Sequence, residues 1–395
     1  MNESTEPLGP GAGVAPAATA LPVNDLARSY QPRRVWAAAV SIGWNLLIAL
    51  AFVASGAAER LYKHFVPLDP AYYPAPFSWV APIYFAIFFT GYALLNFPLE
   101  LWFGYLEERQ FGLAKDGVRA WARDWLNGTI QHGVMFLIGA CLLLVFQVLL
   151  PAYWMVATAG VLLILFLATT YLAADLIPLG LFQLQQGDDA TAARLQALAP
   201  SHVLPPVVVY SFPGLREFAG GILGLGNRQV LLVSRSTVER ASDGLLRFVL
   251  LHDLGHRRFH HNLLSALAGW AWVVLGLAVS DRVIPARWGY NTAVFASPLY
   301  VAFLGLTLSA WMALGEPLLA YFGRRLEYQA DRYYLRNGGN LGEMRAALEE
   351  LARQNLARTE GMRRRETIFH PLPSIPNRLY AAARYVETRA IRGEE

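Results

Sequence analysis

The chain has 395 residues, 55% of them hydrophobic and only 16% charged, with 33 Lys and Arg against 29 Asp and Glu. That balance argues against an ordinary soluble multidomain protein and for a membrane protein. The net charge of +4 is too small to point to nucleic acid, and no nucleic-acid partner is expected.

The opening segment MNESTEPLGPGAGVAPAATALP is rich in Ala, Pro and Gly and has acids where a signal peptide has basic residues. Residues 1–32 are therefore predicted to be a disordered tail. Runs 35–58, 71–99, 259–280 and 288–315 contain no Asp, Glu, Lys or Arg, and each supplies the roughly 20 residues of a membrane-spanning helix. The charge-free stretch 125–174 is longer and is broken by Pro151, so it reads as a hairpin of two more spans. A mainly α chain with about six spans follows. Its plan is a four-helix membrane region with a loop (33–178), a region of strands and one polar helix (179–262), two further membrane helices (263–322) and a helical C-terminal part (323–395).

Arg109, Lys115, Arg119 and Arg123 follow span two, and most other arginines follow spans four and six; the opposite loops hold Arg60, Lys63, Arg282 and Arg287. By the excess of basic residues on cytoplasmic loops, both termini and residues 252–256 are expected on the cytoplasmic side. Nearly all basic residues are Arg, which suits a GC-rich bacterial source and an inner-membrane location. The one cysteine, Cys141, lies inside a span and rules out intrachain disulfides.

Between spans four and five, VLPPVVVYSF and RQVLLVSRS have the Val and Leu content of β-strands, and GGILGLGN between them reads as a turn. The next segment, SDGLLRFVLLHDLGHRRF, has an acid in its first turn and apolar residues at 245, 246, 249, 250 and 254, as a buried helix does. On that helix His252 and His256 are four apart and share a face, so one metal ion can take both. Zinc in a hydrolytic site usually takes three protein ligands and leaves a position for water. The best third candidate is Glu327 in RRLEYQADRYY, with Asp331 one turn later to hold a histidine's second ring nitrogen. His260 and His261 read as interfacial residues at the start of span five.

A rival fits the adjacent His252 and Asp253 locally: the HD phosphohydrolases, in which such a pair bridges metals. That fold needs an earlier histidine on a preceding helix. The nearest here is His202, followed by Val, Leu and two prolines, and a strand leads into the motif.

With these residues the chain resembles the integral-membrane zinc metallopeptidases typified by the type I CAAX prenyl protease and, more distantly, HtpX. That family shows HELGH on a helix and then E-x-x-x-D, matched here by Glu327 and Asp331. LEERQFGLAKDGVRAWARDWLNG, DLIPLGLFQLQQGDDATAARLQALA, GLGNRQVLLVSRSTVE and FHPLPSIPNRL are similar to further family segments in the same order, so the resemblance spans roughly residues 75–385. It implies a small cytoplasmic α+β zincin-like catalytic domain carrying an edge strand, and one Zn2+ per chain on His252, His256 and Glu327. It also implies Asp253 as general base, His370 or Arg378 at the oxyanion, and a substrate peptide added as a strand to Val230, Leu231, Leu232 and Val233. The expected partners are the lipid bilayer and membrane-protein, peptide or lipidated substrates; the oligomeric state is not assigned.

Two departures stand out. His370 lies eight residues before Arg378, where the family more often has six. Asp253 replaces Glu, losing one methylene and about 1.5 Å of reach, and an error near 1 Å costs on the order of 100-fold in rate. A slow protease and a zinc-binding pseudoprotease serving as scaffold or regulator are both consistent with that change.

Overall fold

In the computed structural model, which describes residues 23–65, 79–113, 117–172, 183–186, 188–211, 220–288, 297–355, 370 and 372–393, six helices are long and apolar enough to cross a membrane. In chain order the membrane half comprises α1 (Val23–Ala54), the short α2 (Ala57–Phe65), α3 (Val80–Leu101), α4 (Val118–Leu149) and α5 (Trp154–Tyr171). Helix α3 runs on through a π-helical turn, Trp102–Leu106, to Gln110. Pro151 sits in the turn between α4 and α5, as a residue without a backbone N–H should.

Residues 23–32 belong to α1, so the expected tail ends earlier than residue 32; residues 1–22 lie outside the described residues. Tertiary contacts hold this first stretch of helix. Tyr30 is buried against Phe111 and Leu113, and its hydroxyl donates to Glu108 Oε1 (2.6 Å). Arg34 pairs with the same carboxylate at 2.9 Å.

The membrane helices close on Phe85, Leu144, Trp154, Leu277, Tyr300 and Phe303. Their outer faces leave large apolar side chains exposed, Leu94, Met135, Val156 and Leu314 among them, as helices facing lipid do.

The polar half begins with β1 (Gln183–Gln186), α6 (Asp189–Leu198), β2 (Val207–Ser211), β3 (Gly220–Leu223) and β4 (Val230–Ser234). Next come α7 (Arg235–Arg240) and α8 (Asp243–Arg258), which carries the His pair. The sheet order is β1-β2-β4-β3, with β2 parallel to β4 and the other neighbours antiparallel. Leu231 and Val233 meet Leu245, Phe248 and Val249 of α8 in one core. Ser242 caps α8 by accepting from the Leu245 N–H, and Asp243 lies in its first turn, where the helix dipole favours an acid.

This topology corrects the expected edge. Val230, Leu231, Leu232 and Val233 form an interior strand, bonded to β2 on one side and β3 on the other. The edges are β1 and β3, and β3, beside α8, comes from the segment expected to be a turn. Two glycines give GGIL little strand character; the true turn follows, where Gly224 and Gly226 adopt φ of +89° and +58°.

Helix α9 (His261–Trp288) returns toward the membrane, and α10 (Pro298–Arg336) is a single 39-residue rod despite Pro317. One rod thus carries a membrane span and, near its other end, Glu327 and Asp331. Helices α11 (Leu341–Asn355) and α12 (Ile375–Ile391) complete the polar half. A Cβ on Gly255 would come within 3.0 Å of both the Ala330 Cα and the Tyr333 Cβ, so the glycine lets α8 lie directly on α10.

Candidate metal centre

Contact between α8 and α10 assembles the site. His252 Nε2 lies 3.3 Å from Glu327 Oε2, His256 Nε2 lies 3.5 Å from Glu327 Oε1, and the two Nε2 atoms are 3.1 Å apart. Zinc bonds of 2.0–2.1 Å in a tetrahedron put neighbouring donors about 3.3 Å apart. Two imidazoles and a carboxylate at this spacing therefore fit zinc without rearrangement. Among the described residues, these three form the one cluster able to hold a metal, and Asp253 is not among its donors.

Behind the triad lies a charged pair. Asp331 Oδ1 is 3.1 Å from His252 Nδ1. Arg378, on α12, donates Nε to Asp331 Oδ2 at 2.9 Å and Nη2 to Asp331 Oδ1 at 2.5 Å. Its guanidinium also stacks over the Phe248 ring, with 5.6 Å from Cζ to the ring centre. Asp331 is 2% exposed, so this bidentate pairing answers a charge that burial would otherwise penalise heavily.

Electrostatics separate the two histidines of α8. Burial alone would lower the His252 pKa, but its hydrogen bonds to Asp331 and Glu327 outweigh that and hold it at about 9 without metal. His256, desolvated and facing the His252 cation, falls to about 3. Asp253 is buried, and desolvation raises its pKa to about 7, with the His252 cation pulling downward and Glu327 upward. Among the described residues its Oδ2 finds no hydrogen-bond partner. That oxygen lies under the edge strand, only 2.7 Å from where a Gly220 Cβ would stand.

The His370 carbonyl accepts from Arg324 Nη1 (2.6 Å), and its Nδ1 donates to the Leu372 carbonyl (3.2 Å). Arg378 is joined to the centre, through Asp331. His261, expected at the membrane interface, is 2% exposed and packed beside the triad, with Nδ1 2.9 Å from His256 Nδ1 and Nε2 3.2 Å from Gln329 Oε1. Its burial corrects the interfacial reading. The signal available was a second histidine five residues after His256, too close in sequence for a regular helix to face it inward, and the helix breaks between them.

Residues 184–386 match peptidase family M48, and residues 23–179 match the CAAX prenyl protease N-terminal family, described as five membrane helices. The crystal structure of Ste24p from S. mikatae shares the fold, with a TM-score of 0.75 over 91% of this chain and 88% of that one, at 18% identity. No curated protein matches the sequence.

Proposed function

The chain belongs to peptidase family M48, and we propose that this multi-pass membrane metalloprotease of the CAAX prenyl protease type binds one zinc ion on His252, His256 and Glu327 and cleaves peptide bonds in membrane-associated or lipidated chains. The spacing of the three donor groups carries the reading. These three residues would hold the ion, which when bound would supply Lewis acidity toward the scissile carbonyl and the attacking water.

Asp253 takes a proton from that water and returns it to the leaving amine. The substrate backbone pairs with the edge strand β3. Asn262 Nδ2 donates to the Ile222 carbonyl at 2.7 Å, which marks Ile222 as outward-facing, and by strand alternation Gly220 faces the same way. Pairing at Gly220 brings the peptide alongside Asp253, which abuts that same glycine. Arg378 uses Nε and Nη2 on Asp331, so oxyanion stabilisation falls to its Nη1 group and to His370.

The basic-loop asymmetry supports an active site on the cytoplasmic face, in a bacterial inner membrane. A scaffold without turnover is the second reading, favoured by one observation: among the described residues, Oδ2 of the short Asp253 finds no hydrogen-bond partner beneath β3. The adjacent-pair chemistry of a phosphohydrolase loses support because Asp253 stands outside the donor cluster.

Metal analysis of the purified protein beside Glu327→Ala, with an unfolded or lipidated peptide as substrate, tests the proposal. One zinc per chain in the parent, lost with the glutamate, is expected. A parent that takes up no zinc overturns it.

A further inference from the structure

The two ligand histidines have different supports. His252 leans on Asp331 through Nδ1, whereas His256 meets the buried His261, Nδ1 to Nδ1 at 2.9 Å. His261 Nε2 in turn faces Gln329 Oε1 at 3.2 Å.

The protons along this chain follow from chemistry. An amide oxygen only accepts, so His261 Nε2 carries a proton. A neutral imidazole carries one proton, which leaves His261 Nδ1 bare and able to accept. The hydrogen at the 2.9 Å contact then belongs to His256 Nδ1, and His256 Nε2 keeps the lone pair that points at Glu327 and His252.

Resting on the zinc reading above, we propose that His261, anchored by Gln329, is a positioning residue. It locks His256 as its Nδ1–H tautomer and aims Nε2 at the metal, the service Asp331 gives His252. The local backbone is built to deliver it. His260 has φ of +54°, the one non-glycine with positive φ among the described residues, at the turn where α8 ends and α9 begins. That left-handed step is unfavourable for any residue with a Cβ. It reverses the chain at once, so that the very next ring stands over His256, the ring centres 4.8 Å apart. Strained backbone held beside a ligand set is a mark of function.

Zinc affinity by chelator competition, together with metal-free melting, separates the alternatives in the parent, His261→Leu, His261→Asn and Gln329→Leu proteins. Asn places an amide oxygen where Nδ1 stood. The expected result is about 10- to 100-fold weaker zinc binding in His261→Leu, the range for loss of a ligand's hydrogen-bond partner. His261→Asn should recover most of it, and Gln329→Leu should weaken binding with His261 still present. Equal affinity in parent and His261→Leu, with zinc still lost from Glu327→Ala, overturns this inference and leaves the zinc reading standing. A common fall in metal-free melting for Leu and Asn, with no rescue of zinc binding, makes His261 a packing element and also overturns it. A parent without zinc overturns both.

Discussion

Gly255 lies so close to Ala330 that a Cβ on the glycine would stand 3.0 Å from the Ala330 Cα. This contact sets the separation of two helices, one with both histidines and the other with Glu327. Gly255→Ala should push them apart. Overpacking of this kind typically costs about 1–3 kcal/mol, and here it should also open the ligand triangle. Melting and zinc content should fall together; unchanged zinc content would show that the helix contact does not set the triad.

Arg378 is bound to Asp331 by two hydrogen bonds in a buried setting. Arg378→Ala leaves that carboxylate with an uncompensated charge, and breaking buried pairs in this way costs about 3–5 kcal/mol. Asp331→Asn removes the charge as well as the strongest support of His252, so its larger effect should be on metal, about 10- to 100-fold in affinity. Melting and chelator titration of the two variants distinguish the roles.

The sequence made the spans, the His pair and Glu327 legible because each depends on local pattern: charge-free runs, a four-residue interval, an acid on a long helix. Features set by tertiary contact were hidden. The glycines of β3 say turn until β4 is beside them, and residues 23–32 say tail until Tyr30 meets Phe111 and Glu108. His261 reads as interfacial in sequence because its burial depends on a single left-handed residue, His260. The interior position of Val230–Val233 likewise required knowing that a further strand flanks them.

Zinc binding should depend on pH with a defined sign. In the metal-free protein, His252 remains protonated up to about pH 9. Its raised pKa contributes stability below the ordinary value of 6.5, and that contribution is lost as pH rises through about 9. Zinc requires the neutral ring, so loading releases a proton. Apparent affinity should climb about tenfold per pH unit from neutrality and level off near the folded-state pKa. Chelator competition across that range checks it; a flat profile would place the His252 proton elsewhere.

Gly220 tests the edge strand. A Cβ there would stand 2.6 Å from Val249 Cγ1 and 2.7 Å from Asp253 Oδ2. Gly220→Ala should displace the acid or the strand, lowering peptide cleavage while zinc content stays near one per chain. Loss of zinc as well would mean that β3 supports the metal site rather than the substrate.

Asp253 decides whether the assembled centre works as a peptidase. Cleavage of an unfolded or lipidated peptide by zinc-loaded parent and Asp253→Glu proteins, with Glu327→Ala as the blank, tests this most directly. The extra methylene gives the acid more reach, and the expected result is a slow parent, a gain on the order of 100-fold in the Glu variant, and no cleavage in the blank. Equal zinc loading with no gain from Asp253→Glu would contradict the account and leave a zinc-bound scaffold in its place.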